Sequence, residues 1–196
     1  MLPESPSVDR DGPSKLPCER CKRIALIVSI PERSEGLRGV IRDIEGQVDE
    51  IRILLNEFET APQDLYDCKK VSLVATNRTG DWFASGAWTL LRPDDDGYIV
   101  VLDDDIEYPT DYVERMIGVV EGRQRRAVAV VHGIDYCEPF EDCTRDRTVY
   151  RFEVARSRDG VVDAGGVGTL VFHTSTIRPR LEDFPNPYFR DLWFAV

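Results

Sequence analysis

Asp103, Asp104 and Asp105 stand side by side in YIVVLDDDIEYP (98–109), directly after the apolar run 99–102. Three adjacent carboxylates repel one another at neutral pH, so something of opposite charge has to hold them. A hard divalent cation does so: Mg2+ or Mn2+ takes carboxylate oxygens, keeps coordination positions open and shares them with a substrate diphosphate. Residues i and i+2 of an extended segment point the same way, which puts Asp103 and Asp105 together and turns Asp104 toward backbone or sugar hydroxyls. A D-x-D alone is equally a solvated charge run; its place after a buried strand and before a helix that follows Pro109 argues for a site.

The elements that must position these carboxylates are legible as hydrophobic periodicity. RIALIVSI (23–30) is a continuous apolar run of strand length stopped by Pro31. Leu37, Val40, Ile41, Ile44 and Val48 mark one face of a helix, and Val113, Met116, Ile117 and Val120 mark another. EIRILLN (50–56), KVSLVAT (70–76), YIVVLD (98–103) and AVAVVHG (127–133) read as further strands. Apolar strands alternating with amphipathic helices predict an α/β sandwich around a mostly parallel sheet. From about 145 the pattern changes: TVYRFEVAR (148–156) alternates with period two before RDG, as a small antiparallel excursion would.

In open parallel sheets, ligands bind beyond the carboxyl ends of the strands. At those ends the sequence places Ser29 to Arg33, Asn56 and Glu57, Asn77 to Asp81, the three aspartates, and His132 with Gly133. Loops are polar in any case, but five of them at one edge favour a site.

Composition excludes several classes. A formal charge of −11 argues against a phosphate-backbone binder, since non-specific nucleic-acid affinity comes from clustered Lys and Arg. The 196 residues contain no run near the roughly 20 apolar residues of a membrane span, and the N-terminus lacks an export pattern, so a cytoplasmic location is expected. Residues 1–22 carry four prolines without apolar period and read as a flexible leader to a domain over 23–196. Five cysteines (Cys18, Cys21, Cys68, Cys137 and Cys143) fit reduced thiols better than a disulfide framework or a zinc site.

LDDDIEYPTDYVERMI, together with SIPERSEGLRGVI, VDEIRILLN, VVHG, GGVGTLVFHTSTI and FRDLWFA, resembles bacterial GT-A glycosyltransferases of the family 2 type over roughly residues 24–195. The resemblance implies a Rossmann-like GT-A α/β/α fold and transfer of a sugar from a nucleotide-diphosphate donor to an acceptor hydroxyl. It implies Mn2+ or Mg2+ on Asp103 and Asp105, with Asp103 and Asp104 also at the donor. Ser29, Pro31 and Arg33 match the loop against the nucleotide, and Asn56 matches the residue that lies near the base. Arg78 and Asp81 of NRTGDW match donor contacts, although such enzymes continue this loop with lysine and phenylalanine where FASGAW stands here. Asp191 matches the aspartate that serves inverting members as general base. Read without the resemblance, Asp191 is a helix N-cap or first-turn acid, and the two roles are compatible.

Other residues carry two readings each. Gly165, Gly166 and Gly168 permit close backbone approach to a sugar or simply a tight turn before a strand. His173 is a metal ligand or acceptor contact on one reading and a satisfied strand-end histidine on the other, as is His132. Trp82, Trp88 and Trp193 stack on sugars or pack in the core. The apolar LWFAV ending at Val196 reads as a helix interrupted in its first turns, expected of a minimal version or of one piece of a larger protein. The other readings are a phosphotransferase or phosphatase, which would place its D-x-D after the first core strand, and a nucleotidyltransferase, which needs a glycine-rich basic phosphate loop absent here. A catalytically inactive relative that binds nucleotide-sugar or glycan completes the set.

Overall fold

The computed structural model describes residues 21–77, 83–154, 159–186 and 190–195. Its central sheet has the order β3-β2-β1-β4-β8. β1 (Lys22–Ser29), β2 (Glu50–Asn56), β3 (Val71–Asn77) and β4 (Gly97–Leu102) are mutually parallel, while β8 (Thr169–His173) runs antiparallel to β4. Every residue of β2 and β4 is buried, which is why β4 reads as a continuous apolar run rather than an alternating one, while β2 buries Glu50, Arg52 and Asn56 among its apolar residues.

Strand residues alternate between two cores. Ala25, Ile27, Ile51, Ile53, Val100 and Leu102 pack beneath α1 (Ser34–Ile44) and α2 (Tyr112–Gly122), which contribute Leu37, Val40, Ile41 and Ile44, and Val113, Met116, Ile117 and Val120. Ile24, Leu26, Ile99 and Val101 face the other way, against Trp88 and Leu90 of a 3₁₀ segment (Phe83–Leu90) and Phe184, with Phe194 of α3 (Arg190–Ala195) packed alongside. The architecture is the expected α/β sandwich with a mostly parallel sheet, its second covering layer built largely of 3₁₀ and short helical pieces.

The antiparallel excursion is present as a second sheet, β6-β5-β7, made of β5 (Gly133–Tyr136), β6 (Arg147–Tyr150) and β7 (Ala164–Gly165). It is shorter than the alternation predicts. Tyr150 pairs with Gly133, the first residue of β5, so beyond Tyr150 there is no partner strand left to continue the ladder. The expected strand 127–133 is a correction: Ala129 forms an isolated bridge, antiparallel to Val171, and Gly133 already belongs to β5. The place beside β4 is taken by β8, and Val128 and Val131 remain partly exposed at the sheet margin. Among the described residues no helix is long and apolar enough to cross a membrane. Among the described cysteines, Cys68, Cys137 and Cys143 are free thiols.

Candidate functional site

Among the described residues, the carboxyl edge of the parallel strands gathers six charged side chains from three distant stretches of chain. β4 ends at Leu102, and the Asp103 backbone N–H continues the ladder by donating to the Gly168 carbonyl at 3.1 Å. Tyr108 locks this corner. Its buried hydroxyl donates to the Gly168 carbonyl at 2.7 Å and accepts from the Asp103 N–H at 3.0 Å. Burial pushes the Tyr108 phenol well above its usual range, so it stays a neutral donor. Its own N–H reaches the Asp43 carboxylate from α1 at 3.1 Å.

The three aspartates part company along the chain, where β4 has ended at Leu102 and Asp104 and Asp105 lie in a turn. Asp103 is one-third exposed and Asp105 about half exposed (53%), whereas the Asp104 side chain is buried (4%). Guanidinium groups hold all three. Arg33, from the Pro31–Arg33 turn that leads into α1, places Nη1 3.2 Å from Asp104 Oδ1 and 2.9 Å from Asp105 Oδ2. Arg190, the first residue of α3, places Nη2 3.0 Å from Asp103 Oδ1 and Nε 3.7 Å from Asp191 Oδ1. Asp191 Oδ1 also accepts the Val167 N–H at 3.0 Å, which fastens α3 to the glycine loop in front of β8. The repulsion among the carboxylates is thus relieved in the free chain by two arginines, neither of them in the aspartate loop.

Asp104 is the unsettled member. Burial pushes its carboxyl above its ordinary range, against the Ser29 hydroxyl and the Arg33 guanidinium, which favour the charged form. Its Oδ2 is buried without a hydrogen-bond partner. A buried polar atom left open in this way carries a desolvation penalty, and such atoms in native folds call for an explanation such as a ligand or bound ion.

The remaining predicted residues sort by position. Ser29 ends β1 and is buried next to the aspartate loop; Pro31 opens the turn that carries Arg33; Asn56 is fully buried at the end of β2, in register with Asn77. Arg78, Asp81 and Trp82, with the Trp193 side chain, lie outside the described residues. Gly168 has a clear reason to be glycine, since a Cβ there would sit 1.9 Å from Asp103 Oδ2. A Cβ on Gly166 would likewise fall 1.7 Å from His132 Nε2. Both glycines therefore admit the protein's own side chains at close range. His132 is tied by Nδ1 to the Thr169 hydroxyl at 3.0 Å.

His173 lies at the opposite edge of the sheet, paired with Tyr98 at the start of β4. Its ring nitrogens meet Arg125 at 3.1 Å and Ser175 at 2.8 Å, so it is the satisfied strand-end histidine and takes no part at the aspartates. Trp88 is core, stacked between Phe184 and Phe194 at 5.4 and 5.5 Å. Sequence reasoning missed Arg190 and Tyr108 as members of the site. FRDLWFA displays Arg190 beside Asp191, but nothing in the spacing pairs it with Asp103.

Among the described residues no three or more His, Cys, Asp or Glu side chains are arranged to hold a metal ion by themselves. A Mg2+-type site needs fewer, because one or two carboxylates and substrate phosphates complete its shell. Asp103 and Asp105, two hard-oxygen donors whose side chains are one-third and about half exposed, are of the kind that requirement asks for.

No protein-family model matches the chain, and no curated protein matches it. Solved structures similar to it include the following two. One is residues 1–349 of TarS from S. aureus, at 11% identity and TM-score 0.44, covering 79% of this chain and 47% of that one. The other is a protein assigned as a nucleotide-diphospho-sugar transferase from Desulfovibrio desulfuricans G20, at 10% identity and TM-score 0.44, covering 89% of this chain and 73% of that one. The chain spans about half the length of the TarS fragment. At that level of likeness the chemistry has to come from the residues themselves.

Proposed function

We propose that the protein is a GT-A-type glycosyltransferase that moves a sugar from a nucleoside-diphosphate donor to an acceptor hydroxyl. The observation that carries this reading is the open carboxylate–guanidinium cluster at the carboxyl edge of a parallel sheet, with one buried Asp104 oxygen left unpartnered. Asp103 and Asp105 would hold Mn2+ or Mg2+, which when bound supplies positive charge against the departing diphosphate. Arg33, with Ser29, Pro31, Asn56 and Asp104, and with Arg78 and Asp81 from the third loop, forms the donor side.

Asp191 is the general base of this proposal. Its carboxylate takes the acceptor hydroxyl's proton while that oxygen bonds to the anomeric carbon and the bond from that carbon to the diphosphate oxygen breaks. The nucleoside diphosphate leaves with the electron pair, and attack from the far side inverts the anomeric configuration.

A second reading, a non-catalytic nucleotide-sugar or glycan-binding domain, draws on the engagement of both Asp103 and Asp191 by Arg190 in the free chain. A thermal-shift panel of UDP-, GDP-, CMP- and dTDP-sugars with and without Mn2+ tests both, since a ligand that binds the native state raises its stability by mass action. A Mn2+-dependent rise with one donor, followed by transfer to an acceptor with inverted configuration, is expected. A rise without transfer leaves the binding domain, and no rise with any donor removes both.

A further inference from the structure

We infer that Arg190, with Arg33, works by cation exchange: each guanidinium holds a carboxylate in the free chain, yields it to a divalent cation, and then takes the donor's diphosphate. This rests on reading the site as one for a nucleoside diphosphate, and it adds a residue and an order of events to that reading.

The charge balance leads there. Among the described residues, four carboxylates (Asp103, Asp104, Asp105 and Asp191) face two guanidiniums, which leaves two negative charges when all are ionised, the charge of one divalent ion. A diphosphate brought into that site adds further negative charge and needs cationic partners. Among the described residues the cationic groups already in place are Arg33 and Arg190, and in the free chain they are spent on carboxylates. A divalent cation on Asp103 and Asp105 takes one carboxylate partner from each arginine, leaving Arg33 beside Asp104 and Arg190 beside Asp191 with part of their charge free for phosphate oxygens. The planar guanidinium fork fits carboxylate and phosphate oxygens equally well, so one side chain can serve first one and then the other.

Burial separates the two arginines. The Arg190 side chain is only 10% exposed, so its charge acts through a poorly hydrated medium, whereas Arg33 is 50% exposed and more strongly screened. Arg190 is therefore the stronger competitor for the cation and the stronger phosphate partner. It also touches Asp191, so its departure from Asp103 changes the surroundings of the base at the moment donor arrives. The unpartnered Asp104 oxygen is an independent sign that the free cluster is incomplete.

The inference makes two ligands respond with opposite sign. In calorimetric titrations, Arg190→Gln should bind Mn2+ alone several-fold more tightly than the parent, because a competing cation is gone. The same variant should bind UDP or GDP, in saturating Mn2+, about tenfold more weakly, the worth of one charge-assisted contact. Arg190→Lys keeps charge without the fork and should hold Mn2+ as the parent does while binding the nucleotide less well. A purely structural ion pair would lower the melting temperature and leave Mn2+ affinity unchanged or weaker, and that result overturns the inference. If Arg190→Gln does not fold, Arg33→Gln, on a half-exposed side chain, asks the same question with the same two signs. If neither UDP nor GDP binds the parent protein, the nucleoside-diphosphate reading falls. Equal Mn2+ affinity in parent and variant overturns the exchange whether or not a nucleotide binds.

Discussion

Two clusters of carboxylates and guanidiniums sit at opposite ends of the same parallel strands, and they are built differently. At the amino end, Arg52 of β2 is fully buried, and every one of its nitrogens is engaged. Its Nη1 and Nη2 grip both Asp95 oxygens at 2.6 Å, Nη1 also reaches the Leu90 carbonyl at 2.8 Å, and Nε reaches Glu50 at 2.8 Å. Glu50 is completed by Lys22 and Ser72. At the carboxyl end the same residue types leave Asp105 and Arg33 half exposed and one Asp104 oxygen without a partner. A closed network of buried charges specifies structure, because any lost partner strands another charge. An open one retains capacity for a ligand. The difference lies in completeness, since the chemistry is shared.

The comparison breaks most visibly at Asp191. If the open cluster is catalytic, Asp191→Asn should lower transfer by about 10²- to 10⁴-fold, the usual worth of a positioned base, with donor and Mn2+ affinity nearly intact. Parent-rate transfer by the variant would leave Asp191 as the anchor of α3 alone.

Next in size is Arg52→Ala, which strands two buried carboxylates and should cost about 3–5 kcal/mol. For a domain of this length that is a melting temperature lower by roughly 10 °C, readable by circular dichroism. A change under about 2 °C would contradict the structural role of the closed cluster.

Acid should act on the two ends with opposite sign. Burial pushes the Glu50 carboxyl up, but hydrogen bonds from Arg52, Lys22 and Ser72 outweigh it and hold it near 2 rather than 4.5. Its stabilising contribution is therefore complete above pH 4.5 and lost as pH falls toward 2. Asp104 is raised above 3.8, so its ionisation costs stability as pH rises through its native value. Urea midpoints against pH should show Glu50→Gln flattening the acid limb and Asp104→Asn stabilising the protein near neutrality. The smallest effect belongs to Lys22→Met, at the half-exposed rim of the closed cluster, which should cost no more than about 1 kcal/mol in the same titration.

Much of this was legible in the sequence. The strands of the parallel sheet and both amphipathic helices followed from apolar periodicity, because strands buried on both faces and helices buried on one leave unambiguous patterns. The triple aspartate and Asp191 were visible as residues at strand and helix ends. The neighbours were not. Arg33 reaches Asp104 across 71 residues and Arg190 reaches Asp103 across 87, and no local spacing encodes contacts at such range. That β8 is seated beside β4 has the same origin. A short apolar run identifies a strand but not its neighbour in the sheet.

The most direct test sets one substitution from each cluster against the other. A nucleotide sugar picked out by thermal shift is titrated calorimetrically, in Mn2+, into Asp105→Asn and into Glu50→Gln, and each variant's melting temperature is recorded. Asp105→Asn should lose the Mn2+-dependent binding while melting at or above the parent temperature, since removing one of three adjacent like charges relieves repulsion. Glu50→Gln should bind as the parent does while melting lower. Undiminished Mn2+-dependent binding by Asp105→Asn would contradict the account and remove the aspartates from the site.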